Sequence, residues 1–219
     1  MRNTFDPVDE RTVTEARRGE NYGGRSRQER ASDRRDRILV SALHLFGTRA
    51  YEDITVADVC SGAKVSKRYF YEHFVDRADL LWELHRQQNG WLLRGVAEAA
   101  PRNATSLEDV IRPAAGRLVG MLKANPERAQ VIYLNVPRME TRRRGVLRED
   151  AQFFARMLRQ ATGRPITGLR IERLLLALVA GLSEMIIDWL THGMKGETDE
   201  LAEHITELCL AVLKAAVPI

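Results

Sequence analysis

Apolar residues three and four positions apart recur along most of the chain, the period that lays one side of a helix against a core. The first such stripe runs from about Ser32 to Thr48 through Ile38, Leu39, Ala42, Leu43, Leu45 and Phe46, and stops at Gly47. A second, Val56, Val59, Cys60 and Ala63, follows Thr55 and Asp58, which have the spacing of a capping box, and Gly62 is expected to break it. Ser66 then caps a third helix, in which Val65 meets Phe70 as a hydrophobic staple while Phe70 and Phe74 point inward.

Longer helices follow. Asp76 opens one that carries Leu80, Leu81, Leu84, Trp91, Leu92 and Val96 to Pro101, with Gly90 as its expected point of kinking or close approach. Ser106 caps another that runs to about Ala124. Asn125 and Pro126 open a short one that Pro137 closes, and an amphipathic run spans about Thr141 to Thr162. The last two stripes, about Leu169 to Thr191 and Thr198 onward, are the most apolar. The pattern is that of an all-α protein.

Thr55 to Leu81 holds most of the chemistry. Two short helices around a Gly-containing turn, the second presenting Lys67, Arg68, Tyr69, Tyr71, Glu72 and His73 outward, make a helix-turn-helix whose second helix suits the DNA major groove. The segments TVADVCSGAKVS, YFYEHF and RADLL resemble the DNA-binding signature of the TetR family of transcriptional regulators, and the resemblance extends back through LHLFGTRAYEDITV. Cys60, Lys64 and Tyr69 depart from the usual Ala, Gly and Thr or Ser of that signature.

The resemblance implies a dimeric DNA-binding regulator built in two parts. Residues 32–76 would form the three-helix DNA-binding domain and residues 77–219 a helical domain for ligand binding and dimerisation. Residues 1–31 read as a flexible basic extension. On double-stranded operator DNA, Lys67, Arg68 and Tyr69 are expected nearest the base edges, with Thr55, Tyr71, His73 and Arg77 on phosphates and Val56 and Ser66 at the adjoining helix starts.

Composition narrows the alternatives without choosing among them. The 219 residues are 44% hydrophobic and 29% charged with a net charge of +4, ordinary for a folded globular protein and compatible with nucleic acid. The two cysteines lie in amphipathic patterns and read as small buried groups. No secretory signal opens the sequence, and its longest uninterrupted apolar run is far below the ~20 residues of a membrane span. The expectation is a cytoplasmic protein with no membrane partner.

Helices that are apolar around most of their circumference need a partner. Leu175, Leu178 and Leu182 of the penultimate helix, with Ile205, Leu208 and Val212 of the last, are the expected seam of a homodimer. Between the two ends, Trp91, Met121, Tyr133, Phe153, Phe154, Met157 and Met185 supply adaptable apolar surface for a small-molecule effector pocket. No HExxH, CxxC, phosphate loop or nucleophile elbow occurs. Glu184, Asp188 and His192 share a helix face, but without a further ligand pair nearby they read as interface-rim polar groups, so no metal and no cofactor is expected. A constitutive DNA-binding protein without a ligand is the alternative, and a small metal-dependent helical enzyme a remote one.

Overall fold

The computed structural model describes residues 26–101, 104–135, 140–196 and 198–216. Among them every regular element is helical: α1 (Arg27–Thr48), a 3-10 turn (Tyr51–Asp53), α2 (Val56–Ala63), α3 (Lys67–Tyr71), α4 (Arg77–Ala99), α5 (Leu107–Ala124), α6 (Pro126–Ala129) continued by a π-helical turn (Gln130–Leu134), α7 (Glu140–Thr162), α8 (Leu169–Thr191) and α9 (Thr198–Ala216). Residues 1–25 of the expected extension lie outside the described residues. Its remainder is helical. Ser26 accepts from the Glu29 amide at 3.1 Å while the Glu29 carboxylate takes the Ser26 N–H, a capping box that starts α1 well before Ser32.

Two cores divide the chain. Ile38, Ala42 and Phe46 of α1 meet Ile54, Val59, Phe70 and Phe74 in the smaller core, which also takes Leu80, Leu81 and Leu84 from the first half of α4 and Val131 from the π-helical turn. The second half of α4 joins α5 to α9 around the larger core. A boundary at residue 76 therefore falls ahead of a helix that serves both cores.

Close approaches are fixed by glycines other than those the pattern singled out. A Cβ at Gly95 would lie 2.4 Å from the Met121 sulfur, so α4 and α5 meet there and not at Gly90. At Gly47 it would lie 2.5 Å from the Glu127 Cβ, which presses the end of α1 onto α6. Gly62 does not break α2: it sits inside the helix, where a Cβ would strike the Ser41 hydroxyl of α1.

α8 is the one described helix long and apolar enough to cross a membrane by length and composition, yet only 22% of its most apolar stretch is buried. Leu175 and Leu178, expected at the seam, are instead buried in the chain's own core, as is Ile205 of α9. Leu182 borders an internal cavity. Three of the six expected seam residues thus face inward within one chain, because a pattern apolar on nearly all sides has no marked inner face. What remains partly uncovered runs along Leu174, Ala177 and Gly181 of α8 and Leu201, Leu208 and Val212 of α9.

Candidate nucleic-acid interface and effector cavity

The helix-turn-helix is held by short-range chemistry. Thr55 accepts from the Asp58 amide at 3.2 Å, and the Asp58 carboxylate takes both the Thr55 N–H and its hydroxyl at 2.8 and 2.7 Å. These bonds keep the Asp58 carboxyl below its ordinary pKa. The turn after α2 is the left-handed cap at Lys64, with φ 53 and ψ 48. Its N–H reaches back to Cys60 and Ser61, and the Val65 N–H bonds the Cys60 carbonyl at 3.0 Å, closing the helix end. Lysine pays a steric penalty of about 1–2 kcal/mol in this region, which glycine would avoid. Arg37 of α1 compensates in part by donating to the Ala63 and Lys64 carbonyls at 3.3 and 3.4 Å.

α3 begins at Ser66 by backbone geometry, but the Ser66 side chain makes no capping bond, leaving its hydroxyl exposed. Phe70 is fully buried beneath the helix and Phe74 nearly so. That anchoring turns Lys67, Arg68, Tyr69 and Tyr71 to solvent together with Thr55, while Val56 and His73 are half-buried. Arg68 is 87% exposed at its side chain and 3.5 Å from Glu72 in a surface pair. Such a pair costs little to break when DNA arrives.

Two arginines have roles that spacing did not signal. Arg34 of α1 lies over the Tyr69 ring at 4.2 Å, bringing a cation of the first helix onto the recognition helix. Arg77 stacks on Tyr51 at 4.2 Å and donates to the Tyr51 carbonyl at 2.9 Å and to the Ile54 carbonyl. Its guanidinium thus braces the segment leading into α2, and its expected phosphate contact would have to compete with these bonds. Arg35 spans α1 and α4 through Glu83 at 2.7 Å.

In the larger core an apolar cavity of about 100 Å³ lies between α4, α5, α7, α8 and α9. Tyr133, Phe153, Phe154 and Met157 of the expected pocket set line it. The other three do not. Trp91 faces Arg128, with the guanidinium 4.5 Å from its ring; Met121 fills the contact with Gly95; Met185 packs against the larger core away from the cavity. Polar residues that periodicity could not pick out, Asn89, Asp150 and Ser183, gather at one end of the cavity. Burial pushes the Asp150 carboxyl up to about 6, against the opposing hydrogen bond from Asn89 at 2.8 Å. Burial beside that carboxyl also raises the Tyr133 phenol.

The Glu184, Asp188 and His192 face is engaged in contacts within the chain. Glu184 pairs with Arg143, and His192 folds onto the Asp188 carbonyl at 2.8 Å at the helix end. No group of three potential metal ligands occurs among the described residues. Both cysteines are buried and unpaired, and burial raises their thiols, Cys209 to about 12.

Residues 38–84, from the buried half of α1 into α4, match the family model of bacterial regulatory proteins, tetR family. That segment carries the DNA-binding signature of the TetR family. TetR-family proteins are transcriptional regulators and not enzymes. The TetR-like architecture extends beyond the matched segment. The fatty acid degradation regulator FadR from Bacillus halodurans aligns over 80% of this chain and 93% of its own at a TM-score of 0.66 and 18% identity. A tetR-family regulator from Streptomyces coelicolor aligns over 84% and 82% at 0.68 and 16%. FadR from Bacillus subtilis, solved in complex with stearoyl-CoA, aligns over 78% and 95% at 0.64 and 17%. At these identities the likeness is one of fold. No curated protein matches the chain.

Proposed function

We propose that the protein is a cytoplasmic repressor that binds a palindromic operator as a homodimer and is released by a small apolar or amphipathic molecule in the α4–α9 cavity. The observation that carries this reading is one piece of chain common to both functions. Within the π-helical turn, Val131 is fully buried in the DNA-binding core while Tyr133 lines the cavity. The next residue beyond the turn, Asn135, donates to the Phe46 carbonyl of α1 at 2.8 Å in a buried bond. A ligand that displaces Tyr133 therefore moves a turn plugged into the DNA-binding domain.

Dimerisation supplies the second half of the mechanism. Half-sites about one DNA turn apart, roughly 34 Å, must be met by both α3 helices at once, so a small rotation of one DNA-binding domain breaks the fit. The partly covered α8 and α9 face is the surface that a second copy would cover, by the same patch on each side. That the Bacillus subtilis neighbour holds an amphipathic acyl thioester supports a lipophilic effector in general. The test is an operator selected from random duplexes, followed by titration of that operator in the presence of candidate effectors. A selected site without two-fold symmetry, or affinity unmoved by every molecule that binds the cavity, would contradict the proposal.

A further inference from the structure

The polar end of the cavity has a composition that apolar packing does not need. Beyond it lies a smaller cavity of about 30 Å³, which shares Asn89, Tyr133, Asp150 and Ser183 with the larger one and adds His85. His85 is 2% exposed. Burial holds it neutral, with its pKa down to about 4, while its backbone partner is the Ile132 carbonyl. Its Nδ1 is buried with no hydrogen-bond partner. With one ring nitrogen donating to a carbonyl, neutral imidazole leaves the other as a bare acceptor.

Asp150 borders the same space with a single donor. Its Oδ1 accepts from Asn89, but among the described residues no lysine or arginine pairs with it. Arg143, which also borders the small cavity, is paired with Glu184. A desolvated carboxylate with no cation is costly, as is a buried acceptor with no donor. Two acceptors therefore converge on one small space, and neither brings a donor of its own.

We infer that the effector is a lipophilic amine whose protonated head sits between the Asp150 carboxylate and His85 Nδ1, with its apolar body among Leu92, Ile111, Phe154 and Ile186. This rests on the cavity being the effector site. An ammonium supplies three donors and a positive charge, which answers both groups at once. A fatty carboxylate in the same orientation would bring a second negative charge and no donor. The site thus separates molecules of equal length and apolarity by the chemistry of one terminal group.

The experiment is calorimetric titration of the full-length protein at neutral pH with hexylamine, hexanol and hexanoate, each also tested for its effect on operator affinity. Hexylamine should bind at least about tenfold tighter than hexanol, with hexanoate weakest. Asp150→Asn keeps the shape and an acceptor for Asn89, so it should lower hexylamine to the level of hexanol and leave hexanol unchanged, the latter reporting an intact cavity. If hexylamine bound no tighter than hexanol, or kept its advantage in Asp150→Asn, the assignment of an amine would be wrong. Hexanol or hexanoate binding and releasing operator in that case would leave the cavity reading standing. If none of the three bound, the cavity reading would fall, and the amine assignment with it.

Discussion

Val131 and Tyr133 stand two residues apart on a single π-helical turn and face different cores, Val131 the DNA-binding domain and Tyr133 the cavity. Residues two apart on a helix are about 200° apart around its axis, so they face nearly opposite sides. Asn135 ties the end of this turn to Phe46. Asn135→Ala would strand the buried Phe46 carbonyl, costing about 1–3 kcal/mol of stability. The same change should reduce the loss of operator affinity caused by an effector while leaving effector affinity nearly intact. Parallel titrations of effector and operator against the parent and the variant check both.

Arg68 is an exposed cation on α3 that pairs with Glu72. Arg68→Ala should weaken operator binding by about 1–3 kcal/mol and relax preference at one base pair per half-site, as loss of a bidentate guanine contact does. Tyr71→Phe, by contrast, should lower affinity evenly across sequences. Repeating the duplex selection with each variant distinguishes the two kinds of contact.

Lys64 occupies a left-handed conformation that favours glycine. Lys64→Gly relieves about 1–2 kcal/mol of steric cost, against which glycine's greater unfolded freedom sets roughly 0.5–1 kcal/mol. A net gain of up to about 1.5 kcal/mol should appear as a higher midpoint in urea unfolding. A lower midpoint would mean that the lysine side chain makes stabilising contacts that outweigh its backbone strain.

Ala177 is exposed on α8, and Leu178, the next residue, is 2% exposed. Ala177→Arg should give a folded monomer in sedimentation, because it places a long charged group on the face proposed to meet a second copy. Leu178→Asp should unfold the chain, because it buries an unpaired charge in the chain's own core. A dimeric Ala177→Arg protein would locate the interface elsewhere.

Asp150 and His85 titrate in opposite senses. The folded pKa of Asp150, about 6, is above its ordinary 3.8, so its contribution favours the fold at acid pH and fades as pH rises through 6. That of His85, about 4 against 6.5, gives a contribution present above 6.5 and lost as pH falls toward 4. Between about pH 4 and 6 the two offset each other. Asp150→Asn removes one of them, so its stability should fall more steeply on acidification from pH 6.5 to 4 than that of the parent, by on the order of 2 kcal/mol. Urea midpoints across that range measure the difference.

The sequence by itself determined the elements whose causes are local. The Thr55 and Asp58 capping box, the Asp76 cap, the inward Phe70 and Phe74 and the outward basic and aromatic face of α3 depend on residues within one or two turns of each other, and each is legible at that range. A helical period also told that α8 is apolar nearly all round. It could not tell which side of α8 faces home, because that depends on the other helices packing against it, and the fold turns Leu178 into the chain's own core. Only the tertiary structure brought Arg34 onto Tyr69, Gly47 onto Glu127, and Asp150 beside Asn89 and the cavity that reaches His85. These pairs are separated by up to some eighty residues, and no spacing rule reaches across that distance. Whether a polar residue is solvated, paired or left short of partners is a property of its neighbours in space, and those neighbours single out the groups proposed here to choose the effector.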